Sequence, residues 1–499
     1  MSTPVPSTHG SSKEKLDSEV EPEKAVEIDP VVLASAQWKV DCVVIPLVGM
    51  YYLLSFIDRS NIGNARVAGL QKSLHMTDHQ FSTALTVTYV PYIVMELPMN
   101  LLMKRLGANI TLPLMVTLWG IVCACQGAVT TYGGLLACRF FLGALEGGLF
   151  PGIVLYLSSF YKRHAMQLRF SMMFSATSLA GAFSGLLAAG IQNMHGIRGL
   201  PGWAWIFILE GVFTTLFGLA TWLVIPAGPH ALRHLSPAER EAYGLSLSQA
   251  WSGDADADGG EAEVFSWKEV RSAFTDAPHV ILLLVPLFFS GITLYGLANF
   301  TPTIVGALGF NPTQTQLLTV PPYACSFVVS ILGSYLSDRY KQRGTMAIAS
   351  SLLAAAGYAI FLGTKNKHAD YASLFLQIVG VYCVAPCLST WNANNVQPHF
   401  RRATAIAMAF MATNVGGIVS TWLFTGAPRF HTATCVNLAS SLAMGFFCLF
   451  TSWHLRAANA RKRLALLQLE AEDPSKGAWD DVAERRRLGD RHVRFEYTL

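Results

Sequence analysis

Arg139 to Pro151 reads RFFLGALEGGLFP, inside an apolar run that extends from Tyr132 to Tyr161. A helix rises 1.5 Å per residue and about 20 residues cross a bilayer core, so this run is long enough to span it with tilt. Two opposite charges sit in its middle, Arg139 and Glu146. Seven residues apart is two helical turns, which places both on one side of the helix about 10 Å apart along it. Gly143 and Gly147 lie near that side and admit another backbone or a ligand. A charge at the bilayer centre costs about 2.5–3.5 kcal/mol even on insertion scales, so a chain rarely carries two without a use for them. One reading is an ion pair that holds helices together. The sharper reading is a substrate and proton site that faces a water-filled cavity.

The rest of the chain fits a membrane setting. Of 499 residues, 52% are hydrophobic and only 14% charged. Soluble domains average about 25% charged residues, so the composition is that of a polytopic membrane protein. The net charge of +4 gives no sign of nucleic-acid binding. The nine cysteines fall in or beside apolar segments without His or Cys partners at ligand spacing, so neither a disulfide framework nor a zinc site is expected. The first 37 residues carry seven Asp or Glu against three Lys and read as a disordered cytosolic tail.

Spanning segments fall at about 40–66, 80–103, 110–128, 132–161, 170–192 and 203–225, then at about 278–307, 313–336, 345–363, 370–395, 403–425 and 433–455. Six spans, a polar gap and six spans predict two helical bundles at residues 38–225 and 278–455, joined by a cytosolic linker at 226–277 and followed by a cytosolic tail at 456–499. The linker holds nine acidic and four basic residues, including GDADADGGEAE, and reads as exposed and flexible. With the N-terminus inside, the inner loops hold fourteen Lys or Arg and the outer loops six, so both termini are expected in the cytosol. Arg456 and Arg461 to Arg463 suit an anionic lipid surface.

Ionisable groups within the spans are concentrated in the first half: Asp58, Arg59, Glu96, Arg139, Glu146 and Glu210. Pro278 to Leu336 contains no Asp, Glu, Lys or Arg, and the interiors of the later spans offer neutral groups instead: Tyr295, Asn299, Trp391, Asn392, Asn394, Asn395 and Asn414. An anion site supplied by the first half and closed over by the second has this distribution. No proline follows Asp58 and Arg59 before about Ala68, so the first helix is predicted to carry both inside the bundle; the plainer reading puts them at its outer end. Adjacent residues differ by about 100° around a helix, so the two serve different partners. Arginine holds a carboxylate bidentately, which lysine does less well. A buried carboxylic acid beside a movable arginine exchanges a proton as the arginine leaves or meets substrate. Asp58 and Glu146 are therefore the candidate proton-coupling residues. Glu96, near the basic turn at Lys104 and Arg105, reads as a gating or helix-linking carboxylate. For Glu210 function and structure are equally open.

DRSNIGNA (58–65), RFFLGALEGGLFPG (139–152), WAWIFILEG (203–211), WNANN (391–395) and NVGG (414–417) resemble the anion:cation symporter family of the major facilitator superfamily, in its fungal branch of allantoate, nicotinate and pantothenate permeases. The turn SYLSDRYKQRG, with Asp338, Arg339 and Arg343, is similar to the superfamily's loop signature, whereas the corresponding NLLMKRLG lacks the usual Asp. The resemblance implies an all-α fold of twelve transmembrane helices in two six-helix bundles, alternating access, and import of an organic anion by proton symport. It implies coupling and substrate binding at Asp58, Arg59, Arg139 and Glu146. Arg59 and Arg139 are the candidate substrate ligands, Asp58 and Glu146 carry coupling, and Asn299, Trp391, Asn395 and Asn414, from the neutral groups of the second half, are the candidates to face them. Glu96, Lys104, Arg105, Asp338, Arg339 and Arg343 make up the candidate gate. The chain departs from the family at Pro98-Met99-Asn100 and at Val396 to Phe400, ahead of Arg401-Arg402.

The expected function is uptake of a small carboxylate (a vitamin acid, ureide or sugar acid) by a monomer in the plasma membrane, driven by the proton gradient with no cofactor. The alternatives are a metabolite exporter on the same fold, which the two buried arginines disfavour, and a nutrient sensor, which the short tails disfavour. No nucleotide loop, metal cluster or nucleophile triad points to an enzyme.

Overall fold

The first helix, α1 (Pro30–Val67), starts well before the apolar run. Proline at its first position is pre-set for a helix, and the Asp29 carboxylate accepts from the Val31 N–H at 2.9 Å. The computed structural model describes residues 29–161, 166–232, 234–256, 271–272, 274–275, 277–340, 342–397, 399–424, 429–472 and 488–499. Residues 30–37, expected in a disordered tail, are helical, and the first 28 residues of that tail lie outside the described ones.

The helices that follow are α2 (Asp78–Leu106), α3 (Ala108–Gln126), α4 (Tyr132–Glu146), α5 (Leu149–Phe160), α6 (Met166–Ile191), α7 (Gly202–Val224), α8 (Pro237–Asp256), α9 (Pro278–Ala307), α10 (Pro312–Tyr340), α11 (Arg343–Gly363), α12 (Lys367–Asn394), α13 (His399–Thr421) and α14 (His431–Glu472). No strand occurs among the described residues. Among the described residues, eleven segments are long and apolar enough to cross a membrane, with α4 and α5 counted as one, and the 26-residue α6 fills the remaining place in the order of twelve. Large apolar side chains such as Phe213, Leu216 and Leu223 on α7 and Phe446, Leu449 and Trp453 on α14 point outward, as a hydrocarbon solvent allows.

The two glycines of the opening stretch set the packing of α2 on α4. A Cβ on Gly143 would lie 2.0 Å from the Thr88 carbonyl oxygen, and one on Gly147 would lie 2.3 Å from that of Tyr92. The close partner is a backbone, and neither oxygen has a rotamer by which to yield. Gly143→Ala is thus expected to push α2 and α4 apart at a cost of about 1–3 kcal/mol. A lowered melting temperature of the detergent-solubilised protein measures it; an unchanged one would mean the helices are not this close.

Between the bundles, the close contacts among the described residues lie from mid-bundle to the end that carries Val67. Gln316 donates to the Asn64 carbonyl at 3.2 Å, Trp422 donates to Thr86 at 3.1 Å, and the Phe81 and Phe300 rings meet edge-on. A Cβ on Gly63 would lie 2.2 Å from the Asn299 carbonyl oxygen. Nearer the middle, the Phe150 and Phe410 rings are 3.8 Å apart. The Val67 end is closed.

The linker differs from its expectation. Residues 237–256 form α8, started by a reciprocal cap in which Glu239 N–H donates to Ser236 Oγ and Ser236 N–H donates to Glu239 Oε2. Ser236-Pro-Ala-Glu239 is a capping-box signature that an acidic composition hid. Lys39 of α1 pairs with Glu239 at 2.8 Å, and Tyr243 donates to the Phe160 carbonyl at 2.6 Å. Lys39 and the capping bonds hold the Glu239 carboxyl down to about 2, so it stays ionised at any cellular pH. Residues 257–270 lie outside the described ones.

Candidate functional site

α1 places Arg59 and Asp58 on different faces, and they meet different partners. Arg59 turns toward the seam between the bundles. Its Nε donates to Glu146 Oε1 at 2.8 Å, and Ser55, one turn earlier on α1, donates its hydroxyl to the same oxygen. Glu146 is the last residue of α4 before the helical path breaks at Gly147 and Gly148. Its carboxylate is buried, and Oε2 has no hydrogen-bond partner among the described residues.

Aromatic rings enclose this pair. The Arg59 guanidinium lies over the Tyr92 ring at 4.4 Å, and its Nη1 reaches the Tyr295 hydroxyl at 3.5 Å. Tyr295 in turn donates to Asn414 Oδ1 at 3.2 Å, and Asn299 donates to the Tyr89 hydroxyl at 3.3 Å. The Tyr89 and Tyr295 rings meet edge-on at 5.3 Å. Tyr52 packs against Phe150 and Phe174, which adjoin Phe410. An arginine over π faces keeps part of its electrostatic stabilisation when it leaves a carboxylate.

The cavity among Arg59, Tyr89, Tyr92, Arg139 and Asn299 is about 10 Å³. A single water needs roughly 10–15 Å³ on this measure, so the site holds no organic molecule in this conformation. A larger vestibule of about 730 Å³ lies at the Val67 end beside Arg66, Lys72 and Phe310, away from the Arg59–Glu146 pair.

Arg139 is buried and lies 5.7 Å from the Phe207 ring of α7; its Nε and Nη2 have no hydrogen-bond partner among the described residues. The ion pair of Glu146 is thus with Arg59 across helices, and not with Arg139 along its own helix.

Asp58 departs from the expected cavity position. Trp119 Nε1 donates to its Oδ2 at 2.9 Å, Thr214 at 3.2 Å, and Cys123 to Oδ1 at 3.4 Å. These partners belong to α3 and α7, and Asn61 of α1 adds a fourth donor to Oδ1 at 3.4 Å, so Asp58 ties three helices of the N-terminal bundle together on the side away from Arg59. Glu210, also on α7, is buried with neither oxygen hydrogen-bonded among the described residues.

The remaining candidates divide. Asn299 and Asn414 join the tyrosine network. Trp391 and Asn395 do not: both bond the Thr498 backbone at the opposite end from Val67, so their expected place beside the substrate arginines is corrected. Of the candidate gate, Glu96 is partly exposed and its ion pair with a basic residue is not formed among the described residues. Arg105 and Arg339 are exposed, with Arg339 donating to Tyr335, while the Arg343 backbone donates to the Leu499 carbonyl. The side chains of Lys104 and Asp338 lie outside the described ones. Sequence reading passed over Ser55, Tyr89, Tyr92, Phe150 and Phe410. Two tyrosines three residues apart in an apolar span were the available signal.

Comparison with known proteins agrees with this architecture. The family model for the Major Facilitator Superfamily matches residues 48–421. A protein described as an uncharacterized transporter of Schizosaccharomyces pombe is 32% identical over 498 residues, covering 99% of this chain and 97% of that one. The high-affinity nicotinic acid transporter of Saccharomyces cerevisiae is 30% identical over 461 residues, covering 92% and 84%. Among solved structures, the xylose transporter XylE from E. coli, in a partially occluded inward-open conformation, aligns with a TM-score of 0.64 at 12% identity over 81% of this chain and 96% of that one. A bacterial homologue of the human lysosomal transporter Spinster, inward-facing and unoccupied, aligns at 0.61 with 15% identity over 82% and 94%. A helical protein of two bundles with a charged seam, matched along most of its length by transporters, has one placement: the chain belongs to the Major Facilitator Superfamily and is a multi-pass membrane transporter.

Proposed function

We propose that the chain imports a small organic carboxylate together with a proton, with Arg59 as the carboxylate clamp and Glu146 as the proton carrier. The observation that carries this reading is the Arg59–Glu146 pair at 2.8 Å, buried in an aromatic enclosure on the seam between bundles. A substrate carboxylate takes the same guanidinium donors that Glu146 holds. Two carboxylates on one buried cation repel, and a proton on Glu146 removes both the repulsion and its need for Arg59. Substrate and proton then enter together. When the anion leaves, Arg59 returns to Glu146 and the proton departs. Asp58, already held by four donors, stays a structural group in this cycle.

The surrounding rings favour a flat acid. Tyr52, Tyr92, Phe150 and Phe410 offer π faces and edges to a planar ring. The nicotinic acid transporter among the relatives lends this choice support. The bias of Lys and Arg in the loops supports placing the Gly107 end and both termini in the cytosol, most simply at the plasma membrane. On that orientation the structure is closed to the outside. Maleimide labelling of a cysteine at Asn193 in intact cells, with none at Ser248, is the expected outcome; the reverse would invert the orientation.

The decisive experiment is uptake of labelled nicotinate, benzoate, allantoate and gluconate into transporter-deficient cells at about pH 5 and about pH 7, a window in which the supply of protons changes about 100-fold. Accumulation of an aromatic acid above its external level at the lower pH is expected. Uptake of neutral or cationic compounds alone, or uptake indifferent to pH, would sink the proposal.

A further inference from the structure

The last twelve residues described, 488–499, fold back onto the Gly107 end of the C-terminal bundle. Asp490 is fully buried there, paired with Arg401 at 2.7 Å and 3.7 Å from His279 Nε2. The Asn395 side-chain amide grips the Thr498 backbone from both sides, donating to its carbonyl at 3.0 Å and accepting from its N–H at 2.8 Å. Asn459 grips Tyr497 in the same way, at 2.9 Å each. Trp391 Nε1 donates to the Thr498 carbonyl at 2.8 Å, and the Arg343 N–H donates to Leu499 at 2.6 Å. The Tyr497 ring completes an apolar cluster with Leu283, Leu287, Ala347 and Trp391.

A greasy tail resting on a surface needs none of this. Two amides that each bond both the N–H and the carbonyl of one residue, and a carboxylate taken fully out of water onto one arginine, make a built receptor for this segment. An ion in a protein interior costs several kcal/mol unless paired, so Asp490 and Arg401 each depend on the other. The receptor residues come from five helices: His279 from α9, Arg343 from α11, Trp391 from α12, Arg401 from α13 and Asn459 from α14. None of them belongs to the Arg59 cluster.

We propose that residues 488–499 are a strap that ties the Gly107 ends of these five helices into one block, so that the C-terminal bundle moves as a unit when the transporter changes state. Alternating access rocks one bundle against the other. Helix ends that move separately transmit that motion poorly, whereas the distant carboxylate clamp is untouched. The strap therefore sets the rate of interchange. The WNANN motif is part of its receptor.

The test compares the full-length protein in lipid nanodiscs as wild type, as Asp490→Ala and as the double variant Arg401→Leu/Asp490→Leu. Hydrogen exchange reads the amides of residues 490–499. Single-molecule fluorescence between unnatural-amino-acid labels at Lys72 and Lys365, on the two bundles at the Val67 end, reads the interchange rate. Asp490→Ala strands a buried cation, so amide exchange is expected to rise at least ~10-fold and interchange to slow at least ~3-fold. The double variant removes both charges at similar volume, and both readouts are expected within about twofold of wild type. Unchanged amide protection in Asp490→Ala would show that the pair does not anchor the segment. Lost protection with an unchanged interchange rate would show that the segment is no strap. Either result overturns the proposal.

Discussion

Glu146→Gln is expected to abolish pH-driven accumulation while leaving substrate exchange in place. Each pH unit is worth about 1.36 kcal/mol, a factor of ten, so one proton per anion supports at most about 100-fold accumulation across two units. The amide keeps the size of the carboxylic acid and most of its hydrogen bonding but never ionises. It stands in for protonated Glu146, the form that releases Arg59 to the substrate. The loaded transporter can then cross in either direction, so external substrate still exchanges for internal. The empty return is another matter, because Arg59 has lost the counter-charge it meets at 2.8 Å in the substrate-free state. The accumulation ratio is expected to fall to about 1, with exchange of preloaded label within a few-fold of wild type. Asp58→Asn separates the two carboxylates. Its four donors from Asn61, Trp119, Cys123 and Thr214 leave no acceptor for an amide N–H, so it is expected to lose folded protein first. Whatever folded Asp58→Asn remains should still accumulate substrate at low pH. Glu146→Gln accumulating like wild type at matched expression would remove Glu146 from the coupling mechanism.

The architecture was legible because a bilayer leaves a chain few options. Backbone polar groups must be satisfied within each crossing segment, so apolar runs of about 20 residues report helices almost directly. The seam charges were legible for the same reason, since Arg59, Arg139 and Glu146 are costly where they stand. Which of them pair was not. Arg139 and Glu146 share a helix and a face, yet Glu146 meets Arg59 and Ser55 of α1, a contact between helices that no spacing along one helix reports. Asp58 shows the limit of reading along one helix. Its direction is fixed by Trp119 and Thr214, which are far away in sequence. The segments outside the membrane were the least legible. There, composition pointed to flexible linker and tail, while a capping box at Ser236 and a buried Asp490 built ordered structure from polar residues. Trp391 and Asn395 were assigned to substrate as neutral polar groups in a later span, and that property carries no information about the C-terminal segment whose backbone they bond.

Arg59→Lys is expected to raise the KM for the transported acid about 10- to 100-fold with little loss of folded protein, since a charged hydrogen bond is worth about 1.5–3 kcal/mol. Lysine keeps the positive charge, so the burial balance with Glu146 survives in outline. What it loses is the planar fork that meets both oxygens of a carboxylate, together with the reach of Nε and Nη1 to Glu146 and Tyr295 in one geometry. The stacking over Tyr92 at 4.4 Å also weakens, because an ammonium is compact and strongly hydrated where a guanidinium is flat. A lysine stem carries a point charge past the ring and satisfies one oxygen at a time. Binding therefore suffers more than folding, and a KM measured at matched surface expression separates the two. Tyr92→Leu provides the companion measurement. It removes the ring and leaves the fork, so a smaller rise of about 2- to 30-fold is expected, on the scale of a cation–π contact. Should Arg59→Lys transport with unchanged KM, the carboxylate is held elsewhere, and buried Arg139, whose Nε and Nη2 have no hydrogen-bond partner among the described residues, becomes the group to replace next.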